Sequence, residues 1–513
     1  MSTADIVTLV IGLVLSVTAL GLAGVRWLRV AQREHYIAGW TTRIAALWAV
    51  RLPINIVLKI VAVLLAVVGL FLWSGLPLIG LALTALLPWG LGLRGRSAPL
   101  AWTDRAKRLA VAYAAVLLLA SAALLIAIGF AGVVLVVLAA PLLMDLVLVP
   151  MNALEKSLSN KYLVSARKRL GQVRPTVVAI TGSYGKTSTK GYVAHVLAGA
   201  FSVVASPASF NNLMGLSRAV NDRVVPGTEV FVAEMGVYGP GEIRELSASF
   251  PPDIAAITTI GEAHLARMKT RETIAAAKAE ITERAKTVVL PIDQPELAAL
   301  AARCRAEGKR VVTVSTIPGT EADAVVDADA GTVTIAGTVH PVEVPGTGHA
   351  VNIAVTIGIA LALDLDASAI APRLASLPGS QHRAEVQQAP NGTTIIDDTY
   401  NSNPVGAERA LEGAAALAAE RGGQLVVVTP GMVELGPVQE QRNSEFAQSI
   451  TRHGGQLLIV GRTNRAALLT GAAAAEHPPL VFDRREQAVQ RALDQAAERG
   501  VILYENDLPD HYP

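Results

Sequence analysis

Apolar positions along the chain fall into two regimes that meet near residue 150. Before that point they form long unbroken runs; after it they come as short bursts between polar, alanine-rich stretches. A bilayer core takes about 20 apolar residues in a helix. Five runs of that kind stand in the first regime, over residues 5–28, 53–74, 76–93, 107–128 and 131–150. The third is short and carries Pro88. The first begins MSTAD, with no basic residues ahead of it, and reads as a retained span rather than a cleaved signal.

In the second regime TVVAIT, EVFVAE, DIAAITTI, TVVLPI and RVVTVS read as strands, with helical segments such as TRETIAAAKAEITERA between them. That alternation predicts a mostly parallel sheet covered on both faces. A smaller alternation follows Arg383: TTIIDD, a helix around Glu408 to Glu420, QLVVVT, QLLIVG and VILYEN. The turn-rich LASLPGSQHRAEVQQAPNG is the expected boundary.

Charge gives the first regime a direction. Arg26, Arg29, Arg33, Arg43, Arg51 and Lys59 stand between or at the facing ends of the first two runs, Arg94, Arg96, Arg105, Lys107 and Arg108 likewise for the third and fourth, and Lys156, Lys161, Arg167, Lys168 and Arg169 after the fifth. The intervening turns around Ser74 and Gly129 carry no charge. Lysine and arginine favour the cytoplasmic side. The amino terminus is therefore expected outside an inner membrane and everything after residue 150 in the cytoplasm. Asp145, inside the fifth run but near its cytoplasmic end, is expected to have a structural role. The whole chain is 52% hydrophobic with net charge +2, which gives no ground for a nucleic-acid partner, and its single cysteine, Cys304, can form no internal disulfide and reads as a small buried residue.

Candidate chemistry begins directly after the first strand. Gly182-Ser183-Tyr184-Gly185-Lys186-Thr187 is a glycine turn opening a helix. Glycines let backbone N–H groups close on phosphate oxygens, and the helix start adds its dipole. Lys186 supplies a point charge for terminal phosphates and Thr187 a hydroxyl for Mg2+. FNNLMG (210–215), EMG (234–236), GEAHL (261–265) and AKAEI (277–281) follow in order, then DDTYNSNP (397–404) and GMVELG (431–436).

With these motifs the chain from about 175 to 510 resembles the Mur ligases, ATP-dependent amide-forming enzymes of cell-wall synthesis, and within them the MurF branch, which adds D-alanyl-D-alanine to a UDP-linked tripeptide. The resemblance implies a P-loop central ATPase domain and a Rossmann-like C-terminal domain. The expected fold class is thus a multi-span α-helical membrane domain followed by α/β: residues 1–152 membrane, 153–175 a basic linker, 176–378 ATP-binding, 379–513 C-terminal. It implies ATP and Mg2+ as cofactors. Gly182 through Ser188 would hold nucleotide, with Asn352, Arg383 and Asp398. Thr187, Glu234, His264 and a carbamoylated Lys278 would hold metal, and Lys186, His264, Lys278 and Arg383 would carry catalysis. Asn211, Asn212, Tyr400, Asn401 and Asn403 would meet substrate.

Departures are visible too. Ser217 stands where a proline is common in the family, and aligned on Asn352, Gly348 and His349 replace its histidine and asparagine. Gly431 stands where the typical MurF has aspartate. Membrane runs occupy the place of the UDP-sugar domain. The implied partners are a carboxylate acceptor, an amino-acid or peptide amine, and the bilayer. Two other readings of the same motifs are a membrane-bound polymerase of the poly-γ-glutamate synthase kind and a nucleotide-sensing scaffold without turnover.

Overall fold

The computed structural model describes residues 3–73, 75–94, 99–207, 210–342, 350–378, 385–399, 402–508 and 511–513. It divides into two compact units, Met1–Leu158 with Leu508–Pro513, and Ser159–Asp507.

The first unit is helical. Among the described residues, Asp5–Arg33, Asp104–Ile128 and Phe130–Val173 are long and apolar enough to cross a membrane. The expected spans 53–74 and 76–93 are shorter than the pattern implied. Pro53 separates helix Trp40–Arg51 from Ile54–Gly69, and the two are bent by 104°. The next helix, Leu76–Ala85, has 10 residues. Pro88 lacks an N–H and pushes the residue before it away from helical geometry, so this helix stops early. Ile54–Gly69 and Leu76–Ala85 pair as a tight hairpin. A Cβ on Gly80 would lie 3.1 Å from the Ala62 carbonyl oxygen, and one on Gly69 would lie 2.4 Å from the Pro77 ring. Small residues permit that approach.

Polar groups in this unit close helix ends. Asp145 accepts from the backbone N–H groups of Thr41 (3.2 Å) and Thr42 (2.8 Å). It thereby caps Trp40–Arg51, whose N-cap residue is Gly39, with no side chain to do so. The Arg26 guanidinium donates to the carbonyls of Ala85 (2.7 Å) and Leu87 (2.9 Å) at the end of Leu76–Ala85. The end of the chain belongs here as well. His511 is buried, with Nε2 2.8 Å from Glu34 Oε1, and its carbonyl accepts from Trp48 Nε1 at 2.8 Å.

Helix Phe130–Val173 runs on through the expected linker. Pro150 does not end it, because Ala153-Leu154-Glu155-Lys156 are strong helix formers. In the second unit its later part carries Leu163, Ala166, Leu170 and Val173 on one face, packed into a core with Phe231, Ile243 and Ile274.

Two sheets build the second unit. Among the described residues, β1 (Thr176–Thr181), β2 (Val203–Ala205), β3 (Val230–Glu234), β4 (Ile254–Ile257), β5 (Thr287–Pro291), β6 (Arg310–Ser315), β7 (Ala324–Asp327), β8 (Thr332–Ile335) and β9 (Thr338–Pro341) form one sheet, ordered β2-β3-β1-β4-β5-β6-β7-β8-β9. It is parallel through β7, and β8 and β9 complete an antiparallel edge. The second sheet holds β10 (Glu385–Gln388), β11 (Thr394–Asp398), β12 (Leu425–Thr429), β13 (Gln456–Val460), β14 (Leu480–Phe482) and β15 (Val501–Glu505), ordered β10-β11-β15-β12-β13-β14. β10, in the turn-rich stretch read as boundary, is antiparallel to β11; the other neighbours are parallel. The register pairs Ile180 with Glu234 and Thr181 with Ile257. The carboxyl ends of β1, β3 and β4 are therefore level, the edge where open α/β sheets bind ligands.

Replacing Asp145 by alanine is expected to cost about 0.5–2 kcal/mol through the lost cap. Thermal unfolding of the detergent-solubilised protein would show it as a lower midpoint, and an unchanged midpoint would refute the capping role.

Candidate active site

The glycine loop joins β1 to helix Lys186–Leu197. Gly182 and Gly185 have φ of 152° and 79°. A Cβ on Gly182 would lie 1.8 Å from Thr258 Oγ1, and one on Gly185 2.1 Å from Asn352 Oδ1. Both positions demand glycine. The Asn352 side-chain oxygen, Oδ1, is buried with no hydrogen-bond partner among the described residues. The Lys186 ammonium lies over the loop, donating to the carbonyls of Gly182 (2.8 Å) and Ser183 (3.4 Å). Ser183 Oγ accepts from the Gly261 N–H (2.8 Å), and the Tyr184 ring packs on Gly261, so the loop is seated on the GEAHL segment. Ser188 is buried in the first helical turn.

Glu234 ends β3 and is buried. Its Oε2 receives Thr187 Oγ1 at 3.0 Å and Lys190 Nζ at 3.0 Å, and its Oε1 receives Asn211 Nδ2 at 3.1 Å. Burial alone would raise its pKa, but the charges of Lys190 and Lys186 and these hydrogen bonds outweigh it, so the carboxyl is held below its ordinary range. Lys190 escaped the sequence reading. Its signal is the spacing: Thr187 and Lys190, at i and i+3, share one helix face.

His264 follows β4, with its backbone in the left-handed region at φ 62°. Its Nδ1 is 2.7 Å from Glu434 Oε2, while Arg267 Nη2 donates to Glu434 Oε1 at 2.9 Å. The Ala266 N–H donates to the Glu434 carbonyl at 3.0 Å. Glu434 lies in GMVELG after β12, so it brings the second sheet to the first. Beside it, Arg442 Nη2 is 2.5 Å from Glu262 Oε1. Burial works against ionisation of Glu434, but His264 and Arg267 prevail and hold its carboxyl to about 2. Burial pushes the His264 pKa down, Glu434 opposes that, and Lys186 and Lys278 add to it. A neutral ring results.

Lys278, on helix Arg271–Ala279, is 1% exposed. Burial first, then the charge of Lys186, pushes its pKa well below the lysine range, and no acceptor pairs with it among the described residues. The charge of Lys186 thus acts on Glu234, His264 and Lys278 alike. These groups occupy one neighbourhood.

Other expected residues have structural employment. Asn212 caps helix Leu213–Arg223 by accepting from the Gly215 N–H (2.9 Å), and Asn403 caps Pro404–Arg421 through the Gly406 N–H (2.9 Å). Asp398 ends β11, with its carbonyl accepting from the Asn506 N–H at 3.2 Å. Arg383, Tyr400 and Asn401 lie outside the described residues, as do Gly348 and His349. Among the described residues no three His, Cys, Asp or Glu side chains cluster as a metal site. The expected donors are of a different mix: a hydroxyl, a carboxylate, an imidazole and a modified lysine.

Glu505, at the end of β15, is a second residue that the sequence reading passed over. It is fully buried beside Asp398, accepting from the Ser402 hydroxyl and from Thr429 Oγ1 (3.1 Å). Burial pushes its carboxyl up to about 8. The folded state then holds a proton that the unfolded chain releases near pH 4.5, so stability falls as pH rises from about 4.5 to about 8. Glu505→Gln is expected to flatten that decline, read as melting midpoint against pH; a decline identical to wild type would contradict it.

Residues 180–360 match the Mur ligase middle domain and residues 382–504 the Mur ligase, glutamate ligase domain. The UDP-N-acetylmuramoyl-tripeptide--D-alanyl-D-alanine ligase of Mycobacterium tuberculosis is 31% identical over 347 residues, covering 64% of this chain and 65% of that protein. The chain thus spans somewhat under two thirds of that relative's length. The Bacillus subtilis ligase of the same name is 31% identical over 346 residues, covering 66% of this chain and 74% of its own length. Among solved structures, MurF from Acinetobacter baumannii superposes with a TM-score of 0.58 at 23% identity over 68% of this chain and 77% of its own. MurF ligase from Thermotoga maritima in complex with ADP does so at 0.58 and 24%, over 68% and 80%. These structures share the fold of the two α/β sheets. By its two matched domains and by the extent of its likeness to the Bacillus subtilis enzyme, the chain belongs to the Mur ligase family.

Proposed function

We propose that the chain is a membrane-held, ATP-dependent ligase that joins a carboxylate to an amine through an acyl phosphate, on a cell-wall or lipid-linked precursor. The observation that carries this reading is the Glu234 carboxylate, fixed by Thr187, Asn211 and Lys190 beside the lysine of a glycine loop. The relatives are named as ligases of UDP-N-acetylmuramoyl-tripeptide and D-alanyl-D-alanine, which makes a peptide carboxylate and a dipeptide amine the first pair to try.

Gly182 and Gly185 leave room for backbone N–H groups to meet phosphate oxygens, and Lys186 already stands over them. Hard oxygen donors at Thr187 and Glu234 suit Mg2+, with His264 and Lys278 close by. Bound there, the metal supplies positive charge against the phosphates. Burial pushes the Lys278 pKa well below the lysine range, which favours the free amine whose lone pair can take CO2. An N–C bond forms, a proton leaves, and the amine becomes an anionic oxygen donor.

In the reaction, the acceptor carboxylate oxygen bonds to the terminal phosphorus as the bond to ADP breaks. The amine then attacks the acyl carbon, loses a proton and displaces phosphate. The protein contributes position and charge, from Lys186 and from Arg383 in the second sheet's domain.

The apolar helices support a multi-pass location with the amino terminus outside and the catalytic unit in the cytoplasm. The hairpin of Ile54–Gly69 and Leu76–Ala85 returns the chain to the side it left, whether it crosses or re-enters. The three long helices count as crossings and the hairpin as none or two, which makes the number odd; the bent pair Trp40–Arg51 and Ile54–Gly69 is not taken as a fourth span. The basic segments then share one face, as the charge bias requires. Because helices stand where a soluble relative would hold a UDP-sugar, the acceptor is lipid-linked or handed over at the membrane.

Lys186→Ala is expected to lower ADP release at least about 100-fold at unchanged melting midpoint, on the scale of losing one transition-state charge contact; undiminished turnover would end the ligase reading. Detergent-solubilised enzyme offered both acceptor types should release ADP faster with the lipid-linked one. A clear preference for the UDP-linked peptide would refute the membrane acceptor while leaving the ligase intact.

A further inference from the structure

We infer that Glu434 is a positioning residue for His264, reaching from the second sheet to fix which ring nitrogen faces the nucleotide and metal site. The inference rests on the ligase reading above, and names a residue that this reading does not use.

The geometry is specific. An ionised carboxylate can only accept hydrogen bonds. With Glu434 Oε2 at 2.7 Å from His264 Nδ1, the ring proton therefore belongs on Nδ1. Nε2 is left with its lone pair and makes no hydrogen bond among the described residues. Carboxylates placed behind a histidine in this way set its tautomer and raise its basicity as a ligand.

Glu434 is itself held from three directions. Arg267 Nη2 takes its other oxygen at 2.9 Å, its carbonyl accepts from Ala266, and its backbone sits at φ 64°, a conformation rarely adopted by residues with side chains. The next turn is equally close: a Cβ on Gly436 would come 3.1 Å from the Ala266 nitrogen. His264, also left-handed at φ 62°, meets the Tyr238 ring edge-on at 5.1 Å. Two strained residues from different sheets thus face each other through one short hydrogen bond.

A second ion pair joins the GEAHL segment to helix Gln439–Arg452, which follows GMVELG, without touching His264. Arg442 and Glu262 meet at 2.5 Å. It supplies the control, because breaking it loosens the packing of the segments but leaves the Nδ1 contact in place.

The test is Mg2+-dependent binding of ADP, followed by fluorescence of a labelled nucleotide, in the full-length protein without acceptor or turnover. Glu434→Ala is expected to raise the Mg2+ concentration for half-saturation about 10- to 100-fold, the usual range for losing such a partner of a metal-bound histidine. Glu434→Gln, which can still accept from Nδ1, should give a smaller shift, and Arg442→Ala none. In metal-free protein, 15N spectra of labelled histidine should show one His264 tautomer in wild type and a mixture in Glu434→Ala. Equal shifts in Glu434→Ala and Arg442→Ala, or an unchanged tautomer, would overturn the inference while wild-type binding kept the ligase reading. Absence of Mg2+-dependent ADP binding in wild type would sink both. Should Glu434→Ala fail to fold, Glu434→Leu, which fills the space but cannot accept from Nδ1, takes its place, and an unshifted Glu434→Leu with a wild-type spectrum decides against the inference.

Discussion

A carboxylate taken out of water must be paired or it costs several kcal/mol. Glu234 meets that constraint with Thr187, Lys190 and Asn211, and much of the catalytic unit follows from it. The contacts tie the first turn of helix Lys186–Leu197 to the end of β3 and so fix the direction of the glycine loop. Lys278 breaks the same rule in the opposite sense, being buried without a partner among the described residues. Lys186, Lys190 and Lys278 against Glu234 leave an excess of basic groups around the loop. That excess suits a polyanion, which the triphosphate of ATP would be. Conversion of Lys278 to a carbamate would shift the balance toward a site that also needs cations.

In the helical unit the same accounting governs ends rather than centres. Backbone groups at helix termini have no water to turn to when they lie in an apolar surrounding. Asp145 therefore reaches across to Thr41 and Thr42, and Arg26 to Ala85 and Leu87. Each is a charged residue on a long helix spent on closing a short one. Short helices broken by Pro53 and Pro88 create those open ends. The chain terminus fills a similar need at Trp48 and Glu34, which explains why residues after β15 fold with the beginning of the sequence.

How much of this was legible in the sequence depended on the range of the cause. Interior parallel strands are buried on both faces, so TVVAIT, EVFVAE, QLVVVT and VILYEN announced themselves as apolar runs. The strands β7 to β9 are four residues each; β7 and β8 bury only alternate residues and β9 is mostly exposed, so none gave such a run. Hydropathy counted apolar length correctly but could not see that Pro88 would cut one run short, or that Pro150 would fail to cut another. The family resemblance carried by the motifs implied a shared site for Lys186, Thr187, Glu234, Asn211, His264 and Lys278. Glu434 lies 170 positions from His264, and Glu505 meets Ser402 across 103. Pairings at such separations are set by topology, which no local pattern records.

The departure at Gly431 has a structural cause that bears on Glu434. Gly431 sits at φ 74°, and a Cβ there would lie 2.3 Å from Asn443 Oδ1 and 2.9 Å from Asn464 Cβ. An aspartate could not enter without displacing both. Asn443 accepts from the Met432 N–H (2.7 Å) and donates to its carbonyl (2.9 Å), while Asn464 donates to the carbonyls of Pro430 and Met432 at 3.0 Å. Asn506 adds a bond to the Gly431 carbonyl at 2.6 Å. Three asparagines therefore satisfy the backbone of a turn that would otherwise be free to move. Three residues after Gly431, the turn delivers Glu434 to His264 in a left-handed conformation that an unsupported loop would relax. The carboxylate absent from position 431 is in this way exchanged for rigidity, and that rigidity is what lets a residue of the second sheet act on a ring belonging to the first.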